Sequence, residues 1–269
     1  MKTRQTVLHV LLFAALPLST SYAQAKPSIQ LKMIAGKPVV DGVFLDGHGP
    51  YRFLLDTGSQ TNQVESRLAS KLGLAATLEL GFRTPAGTSL SRGGRVGKVN
   101  LGWMEALDQE FLFTSLDSPS IWPEGTQGIF GQEFLAHFDY TLDFQHHRLI
   151  VGDLPADGVP TKVRLIFGRM AVSTSLGELV LDTGTETLFL FREPSRPATA
   201  QVTSASGMRV PVSFEPAPKL RIGDRLYRPG NAVFHAVPNA EEAGLLPANI
   251  FHAIFICNSR QYVVFDPSL

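Results

Sequence analysis

Two aspartates stand in matching surroundings. Phe53-Leu54-Leu55 runs into Asp56-Thr57-Gly58-Ser59, and in the second half of the chain Leu179-Val180-Leu181 runs into Asp182-Thr183-Gly184-Thr185. Each apolar triplet predicts a buried strand that ends on a carboxylate, a hydroxyl and a glycine. Burial raises the pKa of a carboxyl group, and a second carboxylate within reach makes it costly for both to ionise. If the two units meet about a pseudo-twofold axis, the pair holds one proton over an intermediate pH range. One member can then take a proton from water while the other donates to a carbonyl, which is hydrolytic chemistry without a metal. Gly58 and Gly184 permit close backbone approach to the carboxylates. Thr57 and Thr183 are placed to hydrogen-bond across the meeting point, and Ser59 and Thr185 to donate to the outer carboxylate oxygens. An acidic to mildly acidic optimum is the expectation.

The elements that must deliver these residues read as β-structure: short apolar, β-branched runs broken by glycine, proline and asparagine. Strands are expected at Ile29 to Ile34, Val39 to Leu45, Tyr51 to Leu55, Val96 to Leu101, Phe111 to Phe113, Phe138 to Phe144 and Arg148 to Val151. A second series covers Val163 to Phe167, Met170 to Thr174, Glu178 to Leu181, Thr187 to Phe191, Arg209 to Phe214, Asn231 to His235, Ala253 to Cys257 and Gln261 to Phe265. Helices are few and short: Glu65 to Leu72, stopped by Gly73, and Gln132 to His137. Both halves carry the same landmarks in the same order. The first aspartate is followed by a hairpin tip at Thr84-Pro85-Ala86-Gly87-Thr88 and then by Gly128-Ile129-Phe130-Gly131. The second is followed by Ser204-Ala205-Ser206-Gly207-Met208 and then by Gly244-Leu245-Leu246-Pro247. Each half ends in a strand, polar turn and strand, as an internal duplication would. The expected division is a leader over 1–25, a first lobe over 26–152, a linker over 153–160 rich in proline and glycine, and a second lobe over 161–269.

The leader has a basic start at Lys2 and Arg4, an apolar stretch from Val7 to Leu18 too short to span a bilayer, and a small-residue exit at Ala23-Gln24-Ala25. That pattern predicts an exported protein, periplasmic or extracellular, with the leader removed. Without Lys2 and Arg4, 22 basic residues face 24 acidic ones among 24 of each in the whole chain. Such a balance, with no basic cluster, argues against nucleic acid as a partner and against anionic lipid. Nothing after the leader predicts stable membrane insertion. Cys257 is the only cysteine, so no disulfide can form within the chain, and its apolar surroundings mark it as a small buried hydrophobe. His146-His147 reads as a polar turn, and no metal site is expected.

Taken with Asp56-Thr57-Gly58, Asp182-Thr183-Gly184, Gly128-Ile129-Phe130-Gly131, the stretch Phe134-Leu135 through Tyr140-Thr141-Leu142-Asp143-Phe144, and Tyr262-Val263-Val264-Phe265-Asp266-Pro267, the chain resembles the pepsin/retropepsin-like aspartyl protease superfamily. The likeness is strongest to compact bacterial secreted members with a retropepsin-like unit in each half. The resemblance implies an all-β, bilobal pepsin-like fold: two retropepsin-like β-barrel lobes with a catalytic cleft between them. It implies Asp56 and Asp182 as catalytic dyad, with Thr57, Gly58, Ser59, Thr183, Gly184 and Thr185 in support. Hairpins bearing Thr84, Pro85, Ala86 and Gly87, and Ser206 and Gly207, would correspond to substrate-covering flaps. The implied activity is endopeptidase hydrolysis of a polypeptide substrate by a monomer, with no cofactor; the alternative is a noncatalytic peptide-binding protein on the same fold. Three departures stand out. Pro247 replaces the glycine of the second supporting loop, Phe191 to Pro197 replaces a helix after the second motif, and the hairpin from Gly81 to Ser91 contains no tyrosine. Phe82 and Trp103 are the aromatics nearest to filling that gap. No long inhibitory segment is expected between the leader and the first strand.

Overall fold

The computed structural model describes residues 27–118, 121–152 and 157–269. The leader expected over 1–25 and the part of the linker at 153–156 lie outside the described residues. Among those described, strands dominate, the helices Ser66–Lys71 and Gln132–Leu135 are short, and none is long and apolar enough to cross a membrane.

The first lobe is built on eight strands. Lys37–Leu45 and His48–Leu55 form a long hairpin, and His48–Leu55 then runs parallel to Gly128–Phe130. The sheet continues through Asn62–Glu65 and Met104–Thr114 to Gly87–Leu101. The far end of Gly87–Leu101 pairs back onto the first hairpin, Val43 with Leu101 and Leu45 with Val99, which closes a barrel and leaves Lys32–Ile34 and Leu78–Thr84 as its outlying strands. Phe53, Phe111, Phe130 and Phe134 fill that barrel without measurable exposure, and Phe130 stacks on Phe134 with ring centroids 4.0 Å apart. The buried aromatic layer sits directly under the strand that ends on Asp56.

The second lobe repeats this plan in shorter form. Arg169–Thr174 and Gly177–Asp182 form the hairpin, Gly177–Asp182 runs parallel to Gly244–Pro247, and the sheet continues through Leu188–Leu190, Asn231–Phe234, Arg209–Pro216 and Ala200–Thr203. Here the ring stays open. Pro216 and Pro218 interrupt the strand that would return to the hairpin, because proline has no N–H to give a ladder. The chain resumes as a small separate hairpin, Leu220–Ile222 with Arg225–Tyr227, held to the loop after Arg169–Thr174 by Ser175 N–H to Arg221 O at 3.0 Å.

The lobes share a floor. Tyr140–Asp143 and Arg148–Val151 from the first lobe pair with Ala253–Cys257 and Tyr262–Phe265 from the second, Tyr140 opposite Ile256 and Asp143 opposite Ala253. Ser28–Gln30 and Thr161–Ile166 flank them, so one antiparallel sheet runs beneath both lobes. The single strand expected over Ile29 to Ile34 is in fact two, because the chain leaves the floor at Leu31 and joins the first barrel as Lys32–Ile34. Cys257 lies in this floor without exposure and unbonded to another cysteine.

Candidate active site

The two repeated motifs meet at the centre of the molecule, and their threonines bind them together. Thr57 N–H donates to Thr183 Oγ1 at 3.0 Å, and Thr183 N–H donates to Thr57 Oγ1 at 3.1 Å. Each hydroxyl then donates onward to the carbonyl preceding the opposite aspartate: Thr57 Oγ1 to Leu181 O at 2.8 Å, Thr183 Oγ1 to Leu55 O at 2.6 Å. Both threonines are 2% exposed or less, so these four bonds are made away from water. Each loop is held by the other loop's backbone.

The carboxylates lie above this interlock. A Cβ added to Gly58 would sit 2.3 Å from Asp182 Cγ, and one added to Gly184 would sit 2.7 Å from Asp56 Cγ. Any side chain at either glycine would therefore displace the opposite carboxylate. Gly58 N–H and Ser59 N–H donate to Asp56 Oδ1 at 3.0 and 3.1 Å, and Gly184 N–H donates to Asp182 Oδ1 at 2.7 Å. The two carboxyl groups are brought together beside these glycines, within reach of a shared hydrogen bond. Burial, the charge of Asp182 and that hydrogen bond hold Asp56 well above the ordinary carboxylate range. Burial also raises Asp182, against the backbone donor at Gly184, the bond from Asp56 and the positive charges of Arg169 and Lys37. The pair therefore holds one proton between its two carboxyl groups.

The hydroxyls of Ser59 and Thr185 do something other than expected. Ser59 Oγ donates to Thr61 O at 2.9 Å and Thr185 Oγ1 to Thr187 O at 3.2 Å, so both are consumed in turning their own loops. Short side-chain hydroxyls readily close such local turns. The donors to the outer edge of Asp56 are backbone N–H groups instead.

The missing glycine of the second supporting loop has a structural answer. In the first lobe Gly131 N–H donates to the buried Asn62 Oδ1 at 3.1 Å, and Gln132 Nε2 reaches back to Thr57 O at 2.9 Å. Pro247 pairs with Asp182 in the second lobe and has no N–H to satisfy. The position six residues after the aspartate, occupied by Asn62 in the first lobe, is the buried Leu188 in the second. Donor and acceptor have disappeared together, leaving no unpaired polar group.

Around the dyad lies a cleft of about 380 Å3. From the first hairpin Phe82, Thr84 and Pro85 line it, and Ala86 packs onto the apolar cluster of Phe189, Val210, Val212 and Val233 in the second lobe. Gly87 closes the turn opposite Thr84 with φ of +116°. The second hairpin contributes Val202, Thr203, Ser204 and Ala205. Among the described residues Ser206 and Gly207 form the tip rather than the wall, with Ser206 Oγ 2.8 Å from Ser204 Oγ and Gly207 N–H on Ser204 O. Phe82 is the aromatic that faces the cleft from the first hairpin; Trp103 is 47% exposed and does not line it, while Trp122 does.

The charged residues of the wall outside the dyad, Lys37, Arg169, Glu186 and Glu242, escape a search for motifs. Lys37 and Arg169 both line the cleft, and Lys37 Nζ donates to Ile121 O at 2.8 Å. Arg169 forms a buried ion pair with Glu242 at 2.8 Å. The signal for the two cations was present: Ala35-Gly36-Lys37 and Phe167-Gly168-Arg169 are the same left-handed turn, entering the same strand of each lobe. Glu242 has no counterpart that spacing could reveal.

Residues 40–134 match the family model described as aspartyl protease, which falls within the first lobe. The crystal structure of basic 7S globulin from soybean superposes with a TM-score of 0.54 at 14% identity, over 90% of this chain and 94% of that one. The crystal structure of a retropepsin-like aspartic protease from Rickettsia conorii is matched at 18% identity and a TM-score of 0.35, over 47% of this chain and 89% of that one. No curated protein matches the sequence. The agreement with the globulin is one of fold, and it extends through both lobes.

Proposed function

Since the chain carries the fold of the pepsin/retropepsin-like aspartyl protease superfamily, we propose that it is an aspartic endopeptidase, a monomer acting on polypeptides, whose dyad is Asp56 and Asp182. The observation that carries this reading is the pair of buried carboxyl groups brought together in a cleft, each set against the other loop's glycine and held by backbone donors. In the reaction, Asp182 takes a proton from a water lodged between the carboxylates while Asp56 gives its proton to the oxygen of the scissile carbonyl. The new C–O bond yields a tetrahedral diol. Its collapse returns a proton to the nitrogen, breaks the C–N bond and releases an amine and a carboxylic acid. No covalent enzyme intermediate is formed.

The hairpin bearing Phe82, Thr84 and Pro85 supports a role as cover over a bound extended peptide, since it spans from the first lobe to the apolar wall of the second. The basic, apolar and small-residue succession over 1–25 supports export to a periplasmic or extracellular space. The deciding experiment incubates the mature protein with a denatured protein substrate between about pH 3 and 7, a range that covers a coupled carboxyl pair. Asp56→Asn and Asp182→Asn are run alongside. Cleavage by wild type alone is the expected result; cleavage that persists in both variants sinks the dyad assignment, and no cleavage at any pH sinks the hydrolase.

A further inference from the structure

The wall of the second lobe contains a carboxylate oxygen without a partner. Glu242 is 7% exposed and lines the cleft. Its Oε1 is engaged by Arg169 Nη2 at 2.8 Å, whereas Oε2 is buried and accepts no hydrogen bond. Arg169 Nε turns the other way, to Ile166 O at 3.4 Å, so the guanidinium does not reach around to the second oxygen. An ionised carboxylate held by an arginine accepts only, and a buried acceptor left empty is costly. A ligand that brings a donor to Oε2 removes that cost.

We infer that Glu242 forms a subsite for a basic side chain, lysine or arginine, of the bound polypeptide. This rests on the cleft being a polypeptide site, as proposed above. Two further observations favour a cation over a neutral donor. The ionisable groups lining the cleft are Lys37 and Arg169 against Glu186, Glu242 and a dyad that keeps one proton, which leaves one net negative charge. Leu245, Val237 and Ala240 line the same cleft, apolar surface suited to the methylene stem of a long side chain whose head is polar. The equivalent end of the first lobe differs. Lys37 holds the place of Arg169 there and donates to a main-chain carbonyl, and the nearby Glu186 is exposed to water, so the buried carboxylate oxygen left unfilled lies on the second-lobe side of the cleft.

The test uses peptides identical except for lysine or norleucine at one position, scanned across both sides of the cleaved bond. With wild type, lysine is expected to raise kcat/KM at one position by roughly 10- to 100-fold over norleucine, the range of a charge-assisted hydrogen bond. Glu242→Gln should reduce that ratio to about threefold or less, and the ratio cancels any general loss of activity. Because Glu242→Gln leaves Arg169 buried without its carboxylate, Arg169→Met/Glu242→Gln, which removes both charges, is tested for the same collapse. Binding of fluorescent versions of the peptides to Asp56→Asn, read by anisotropy, separates the two readings. A lysine preference in binding that vanishes with Glu242→Gln, without cleavage by wild type, keeps the subsite and defeats the hydrolase. Cleavage with no lysine preference, or one that both Glu242 variants retain, overturns the subsite alone. Peptides neither bound nor cut overturn both.

Discussion

The threonine interlock makes a quantitative demand. Thr183→Val keeps the shape of the side chain but deletes the hydroxyl that donates to Leu55 O and accepts from Thr57 N–H. Both partners lie in a region that is 2% exposed or less, so no water replaces the lost bonds. Each stranded buried partner costs about 1–3 kcal/mol. The methyl that replaces the hydroxyl returns about 0.8 kcal/mol by burial. The expected loss is therefore about 3 kcal/mol, or a fall of roughly 6–12 °C in Tm for a chain of this size. Thr183→Ser retains both bonds and loses one methyl, about 1 kcal/mol. Urea denaturation at neutral pH measures both, with the slope of the transition checked for two-state behaviour. A valine variant within about 0.5 kcal/mol of wild type, or a serine variant as damaged as the valine one, would falsify the interlock as the element that joins the loops. The symmetric change Thr57→Val should cost a similar amount, because it strands Leu181 O and Thr183 N–H in the same way. The double variant should cost less than the sum, since each mutation already loosens the other's partner.

Asp56 titrates well above its unfolded range, so the folded state binds its proton more tightly than the unfolded chain does. That stabilisation is full below the unfolded pKa near 3.9 and is lost as pH rises through the folded value. Asp56→Asn should accordingly gain stability relative to wild type between pH 4 and 7 while losing at least about 100-fold in hydrolysis; a Tm difference that does not change with pH contradicts the shared proton. Asn62→Leu copies the second lobe's solution into the first without its proline, leaving Gly131 N–H buried and unpaired, and should cost about 1–3 kcal/mol by chemical denaturation. A neutral outcome would mean that the loop finds another acceptor. Ala86→Asp places a charge on the apolar patch of Phe189, Val210 and Val233 where the first hairpin rests; KM for a peptide should rise by about tenfold, about 1.4 kcal/mol of binding, with little change in Tm, and an unaltered KM would remove the hairpin from substrate binding.

Much of the architecture was legible because the code for it is local. Arg148–Val151 and Ala253–Cys257 match their expected bounds, since each is an apolar run ended by turn residues. Of the long strand Gly87–Leu101, the hairpin arm up to Ser91 and the run from Val96 onward were foreseen as separate pieces, because Gly93 and Gly94 between them read as a break. Packing gives those glycines their reason: a Cβ on Gly94 would lie 2.2 Å from Ala75 O, and one on Gly93 would lie 2.5 Å from Phe111 O. Gly128–Phe130, three residues long, is too short to show a period, yet it is the strand that seats the first aspartate. At the site, the aspartates, glycines and threonines could be read from the repeat. The partnership of Asn62 with Gly131, and its joint replacement by Leu188 and Pro247, could not, because it links residues far apart whose compensation is visible only as an absent N–H. The Arg169–Glu242 pair is hidden for the same reason: its members are 73 positions apart and neither belongs to a motif.

The crossed threonine bonds also bear on how such a molecule can assemble. Every one of the four runs from one lobe to the other, so a lobe folded alone would present a loop with an unfilled N–H, an unfilled carbonyl and a free hydroxyl at its most buried point. The floor sheet compounds this, for Tyr140–Asp143 would be left as a bare edge without Ala253–Cys257 beside it. A half-molecule is therefore sticky by construction, and the surface it exposes fits a second half better than anything else. Covalent continuity between the halves keeps the required partner at high local concentration from synthesis onward. It also frees each half to change independently wherever the interlock is not involved, which is how one lobe can carry a closed barrel and the other an open, proline-broken one around the same pair of carboxylates.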